Sequence, residues 1–227
     1  MNAKVARPGR LALAVLHAGA DLRLRVTGTA GPPPLRAPGP FTTCVARLPP
    51  AVAEPLCRAV AEAMGAIGAP VVYPPDAVHV TIANLDRATT GDLPASVAEW
   101  ADAQAPLRAR VAGIGYSRAT AFAALDLDES ALRAARRALR RTAGAPERRS
   151  AALRDRVGAA NLARFERPLG AEAGRALTRL RTHASAPFTL AGVELVRTDK
   201  VLSATGTEIL GSYALRGGDH MPPREST

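Results

Sequence analysis

Strand-like and helix-like segments alternate along this chain in an order that predicts an α+β domain of two similar lobes. Three observations carry that reading. Amphipathic helical segments regularly separate groups of short, alternating apolar segments. A Gly/Pro stretch, residues 28–40, "GTAGPPPLRAPGP", has no periodicity and sets off what precedes it. The chain has 227 residues, 47% of them hydrophobic, which suffices for one good-sized core or two small lobes sharing an interface.

The elements run in order along the chain. "LALAVLH" and "LRLRV" flank "AGAD", and Leu22, Leu24 and Val26 alternate with Arg23 and Arg25, so residues 1–27 read as a hairpin extension. A cleaved leader fits less well, because the apolar run is six residues long and His17 closes it. Residues 28–40 are the linker, 41–217 the main domain and 218–227 a polar, disordered tail. "FTTCVARL" (41–48) is a strand. "PAVAEPLCRAVAEAMGAIG" is a helix with Val52, Leu56, Val60, Met64 and Ile67 on one face and Gly68 as its cap. "VVYPPDAVHVTIANL" is a strand, a Pro-Pro turn and a second strand. "DLPASVAEWADAQ" is a short helix capped by Asp92. "LRARVAGIGY" and "ATAFAALDL" are strands. "DESALRAARRALRRTAG" is a helix with Leu132, Ala135 and Leu139 inward and Arg133, Arg136, Arg137, Arg140 and Arg141 around the outside. "RVGAANLARF" is a strand, "AEAGRALTRLRTH" a helix, and "PFTLAGVELVRT" and "TEILGSYALRG" close the domain as strands.

The formal charge is +10, and the only lysines are Lys4 and Lys200. Such a balance favours anionic partners, namely RNA, nucleotides or phosphorylated metabolites. A GC-rich coding sequence raises Arg and Ala together, so the charge alone selects no partner. The arginine helix 133–141 is a solvated face or an RNA-backbone contact. Cys44 and Cys57 show no metal-ligand spacing and read as buried structural thiols in a reducing cytosol, so a cytoplasmic location is expected. No apolar run is long enough to span a membrane.

"VHVTIANL", residues 78–85, places His79 and Thr81 on one face of a strand, roughly 7 Å apart along it. That spacing suits a phosphate. A hydroxyl donates to a non-bridging oxygen while an imidazole gives or takes a proton at a bridging oxygen or a water. An unperturbed pKa near 6.5 leaves both protonation states accessible. Taken alone, the pair reads as a core histidine with one satisfied nitrogen beside a β-branched strand former.

The surroundings alter that balance. A strand–helix–strand layout ending in "HVTIANL", then another lobe, then "VELVRTDKVLSATGTEILGSYALRG", resembles the 2H phosphoesterase superfamily. That group includes the bacterial 2′-5′ RNA ligase-like proteins and cyclic nucleotide phosphodiesterases. The resemblance covers about residues 41–217. It implies a bilobal pseudo-twofold fold with antiparallel sheets flanking a central groove and helices outside. It implies one HxT or HxS strand from each lobe, two histidines as base and acid, two hydroxyls holding the phosphate, and no metal or other cofactor. The implied partners are nucleotides or RNA ends bearing a phosphate, and 2′,3′-cyclic phosphates or 2′-5′ linkages are the implied substrates. His79 and Thr81 match the first motif and are the candidate catalytic residues, with Thr81 also a phosphate ligand.

The second motif departs. The resemblance places it in "GAANLARF", with Ala159 at the histidine position, 80 residues after His79, and Asn161 at the hydroxyl position. Asn161 retains an amide donor for phosphate; Ala159 has no acid/base group. One such group contributes on the order of 10² to 10⁴ in rate, so phosphodiesterase activity is expected to be weak or altered while phosphate binding persists. Three arginines bear on anion binding. Arg47 and Arg167, at strand ends, are candidate phosphate contacts. Arg164 falls on the face opposite Asn161 by period-2 counting and reads as structural. His17 is edge structure or reaches the groove with its hairpin, and His183 ends a helix where it complements the dipole. Two further readings stay open: an active enzyme with a substitute second acid/base, and a non-catalytic interaction scaffold.

Overall fold

The computed structural model describes residues 40–65, 71–117, 120–146, 158–165, 171–199 and 206–217. The hairpin with His17, residues 28–39 of the linker, the tail with His220, Ile67, Gly68 and Arg167 lie outside the described residues. Nine strands and four α-helices are described. They are β1 (Phe41–Arg47), α1 (Pro50–Gly65), β2 (Val71–Val72), β3 (His79–Asn84), α2 (Leu93–Ala103), β4 (Leu107–Tyr116), β5 (Thr120–Leu127), α3 (Glu129–Thr142), β6 (Gly158–Arg164), α4 (Ala171–Arg179), β7 (Phe188–Leu190), β8 (Gly192–Thr198) and β9 (Glu208–Ala214). No helix among the described residues is long and apolar enough to cross a membrane.

The strands form one antiparallel sheet in the order β7-β4-β5-β6-β3-β1-β8-β9, with β2 paired to β6. The sheets of the two lobes are therefore continuous, joined where β3 meets β6 through Val80 and Ala160. "PFTLAGVELVRT" is not one strand. It breaks at Ala191 into β7, which pairs with β4, and β8, which pairs with β1. These partners stand toward opposite ends of the sheet order, so the sheet curls. The Ala191 carbonyl accepts from Leu215 N–H at 2.8 Å, which satisfies the backbone at the break.

Local chemistry starts the helices where expected. Asp92 Oδ1 accepts from Ala95 N–H at 2.9 Å to cap α2, and Asp128 Oδ1 accepts from the N–H groups of Ser130 and Ala131 to cap α3. The buried positions of α1 are Ala53, Leu56, Cys57, Val60 and Met64. Those of α3 are Leu132, Ala135, Arg136 and Leu139, followed by Ala143 just past its end. The two sets share one spacing, as helices related by a lobe repeat should. Cys44 and Cys57 are both buried and unpaired. Burial pushes the Cys57 thiol up to about 11, and that of Cys44 is raised further.

One arginine departs from the expected outer face of α3. Arg136 is only 6% exposed, and its Nη2 donates to the Thr81 carbonyl at 2.8 Å. β3 pairs with β6 at Val80 alone, so the next carbonyl takes its hydrogen bond from the helix beneath. Its neighbour Arg137 is exposed. Helical periodicity assigned both to solvent because arginine is polar, but a long guanidinium can satisfy a buried carbonyl. Arg136→Ala is expected to lower stability by about 2 kcal/mol or more, since a hydrogen bond from a charged group is lost at a buried carbonyl. Arg137→Ala should stay within about 0.5 kcal/mol of the wild type. Urea unfolding of the two variants checks the pair.

Candidate functional site

The central pairing assembles the site. β3 and β6 run antiparallel with Val80 opposite Ala160. One residue to either side, His79 therefore lies beside Asn161 and Thr81 beside Ala159, all on one face. Val80 and Ala160, pointing the other way, are fully buried in the core. On the other flank of β3, Arg47 stands opposite His79 and Val45 opposite Thr81. So the structure brings His79, Thr81, Asn161 and Arg47 onto three adjacent strands.

His79 is 4% exposed, whereas Thr81 is exposed and Asn161 partly so. His79 Nδ1 lies 2.7 Å from the Ala77 carbonyl. A carbonyl only accepts, so Nδ1 carries the proton and Nε2 presents a lone pair. Nε2, the Thr81 hydroxyl and the Asn161 amide make no hydrogen bond among the described residues. Burial holds the His79 pKa below its ordinary value. The Ala77 hydrogen bond raises it, Arg47 lowers it, and Glu194 raises it. The imidazole is thus a neutral base at pH 7, and the expectation of easy access to both protonation states is corrected by desolvation.

Arg47 is committed elsewhere in part. Its Nε donates to Glu194 Oε2 at 2.7 Å and its Nη1 to the Asp76 carbonyl. Glu194 reaches this face because it stands opposite Val45 on β8. Sequence periodicity carried no sign of this pairing, which joins residues 147 apart.

Arg164 requires a correction. In the β5–β6 ladder Phe122 faces Asn161 and Ala121 faces Ala163, so β6 spends one extra residue at Leu162. A bulge of this kind breaks the period of two. Leu162 and Ala163 are consecutive and both buried, and Arg164 falls back on the side of Asn161, partly exposed. Arg164 also hydrogen-bonds Tyr73. The first motif strand does the same. Val45 faces Thr81 and Cys44 faces Ala83, so Ile82 is the extra residue, and Ile82 and Ala83 are both buried before Asn84. "HVTIAN" and "AANLAR" thus share a bulge at the same place. His183, by contrast, comes after the single 3-10 turn that ends α4 and donates its backbone N–H to Leu180.

No family model and no curated protein sequence matches the chain. Solved structures do. TT0787 of Thermus thermophilus is 24% identical, with a TM-score of 0.53, over 78% of this chain and 99% of that one. E. coli LigT complexed with ATP is 15% identical, with a TM-score of 0.49, over 78% and 98%. The crystal structure of a phosphoesterase is 14% identical, with a TM-score of 0.46, over 78% and 99%.

The lowered pKa of His79 has a consequence for stability. Above pH 6.5 the imidazole is neutral whether the chain is folded or unfolded. As pH falls below that value, the unfolded chain takes up a proton that the folded chain refuses, so stability declines until the folded pKa is passed. His79→Gln removes this contribution. The urea midpoint of the wild type should fall more than that of the variant between pH 7 and pH 5. Parallel pH profiles would show that His79 is not desolvated as described. The curled antiparallel sheet and the four helices among the described residues give this chain the α+β fold of the 2H phosphoesterases.

Proposed function

We propose that this protein binds the phosphate of a nucleotide or RNA end on the face where β3 meets β6, and that its activity toward ribose phosphodiesters is weak or altered. The observation that carries the reading is the juxtaposition of a lone-pair-bearing His79 Nε2 with two unengaged donors, Thr81 Oγ1 and Asn161 Nδ2, on paired strands. Thr81 and Asn161 hold non-bridging oxygens. Arg47 and Arg164 supply positive charge around them, with Arg47 oriented by Glu194. His79 accepts a proton from the attacking water or hydroxyl. Neutral at pH 7, it serves as base rather than as a charged clamp.

This division of labour separates the variants. Hydrogen bonds to a charged partner are worth about 1.5 to 3 kcal/mol. Thr81→Val and Asn161→Leu should therefore each weaken AMP about tenfold or more, read by calorimetric titration at pH 7. Binding should weaken with added salt, more steeply for a short 3′-phosphorylated RNA than for AMP. Affinity that rises on acidification should do so only below pH 6.5, in line with the depressed His79 pKa. No affinity for either ligand at low salt would retire the reading in favour of a non-catalytic scaffold.

A further inference from the structure

We infer that the preferred substrate is a nucleotide phosphoanhydride, whose departing oxygen leaves as a stable phosphate anion, rather than a ribose phosphodiester. The inference rests on the phosphate-binding reading above and adds the class of bond broken.

The argument starts from what flanks the phosphate. In-line displacement puts the attacking and departing oxygens on opposite sides of phosphorus. A phosphate seated between Thr81 and Asn161 has His79 beside Asn161 at one end and Ala159 beside Thr81 at the other. The first end has its base. At the second end, the row continues outward from Ala159 to Ala124 on β5 and Gly113 on β4. None of the three carries a proton to give. The next polar group beyond Ala124 on that face of β5 is Asp126, whose carboxylate accepts from Arg110 Nε at 3.0 Å and Nη2 at 2.7 Å. The Arg110 guanidinium engages that carboxylate. Glu194 is tied to Arg47 on the far side of His79. The described residues thus supply a base with no acid opposite it.

Such a site is selective by chemistry. The water proton passes to His79 Nε2, the water oxygen bonds to phosphorus, and the bond to the departing oxygen breaks with its electron pair. An alkoxide of ribose needs a proton at that moment. A nucleotide phosphate does not, because its own second pKa is near 6. The imidazolium then returns its proton to solvent. General acid catalysis is worth about 10² to 10⁴ in rate, so a site limited to the described residues penalises the alkoxide substrate by that factor and the anhydride little.

The test compares two probes, di(adenosine-5′) pyrophosphate and adenosine 2′,3′-cyclic phosphate, by kcat/KM on the full chain. The wild type should favour the pyrophosphate by about a hundredfold or more, and His79→Gln should abolish its cleavage. Ala159→His, which places an imidazole at the departing end, should lower the pyrophosphate-to-cyclic-phosphate ratio by about 10² to 10⁴. Its thermal melt shows whether it folds, and if it does not, the wild-type ratio decides alone. A wild type that cleaves the cyclic phosphate as well as the pyrophosphate overturns the inference. So does AMP binding that depends on Thr81 and Asn161 without hydrolysis of either probe, although the binding reading then survives. Absence of AMP binding removes both.

Discussion

One residue holds the architecture closed. Ala191 alone separates β7 from β8, yet the two strands pair with β4 and β1, near opposite ends of the sheet. They stand six places apart in the order. In a flat sheet that is about 29 Å at the usual strand spacing. Leu190 and Gly192 are at most about 7 Å apart along the chain. Only a strongly curled sheet satisfies both distances. The curl is also what makes the central strands β3 and β6 the seam between lobes.

At that seam the molecule is nearly symmetric, and its departures from symmetry set which side chains meet there. On each side of the seam the motif strand pairs with the strand that leads into that lobe's helix, β1 before α1 and β5 before α3, and the two motif strands carry matched bulges at Ile82 and Leu162. A bulge adds twist and re-aims the side chains beyond it. It brings Arg164 to the motif face after Asn161, where counting by twos sends it away. The lobes differ in what surrounds their first motif residue. His79 has Arg47 beside it on β1, and Ala159 has Ala124 beside it on β5. Beside the first motif residue, one half of the seam is charged and titratable and the other small and apolar.

The His79 half is shaped by its surroundings. Burial favours the neutral imidazole, and the Ala77 carbonyl fixes which nitrogen bears the proton. Arg47 and Glu194 act on the ring with opposite signs while neutralising one another. Beneath the motif, Arg136 reaches from the second lobe to the Thr81 carbonyl, where the β3–β6 ladder ends. Its counterpart in the first lobe is Cys57, a small buried thiol that burial keeps protonated. The same helix position thus carries a guanidinium under one motif strand and an apolar filler under the other.

Much of this was written locally. Helix caps at Asp92 and Asp128, the apolar stripes of α1 and α3, and the period-2 strands arise from side-chain chemistry within a few residues. The pairing of His79 with Thr81 comes from alternation along one strand. The absence of an imidazole at Ala159 is plain in the sequence once the lobes are aligned. What tertiary structure decided depends on neighbours distant in the chain. The break at Ala191 is set by which strands lie to either side, not by its own residues. The bulge at Leu162 is a mismatch between two ladders and has no signature in either strand alone. Arg136 turns inward because an unpaired carbonyl waits there. His79 loses its ordinary pKa because strands and turns from the whole lobe remove it from water.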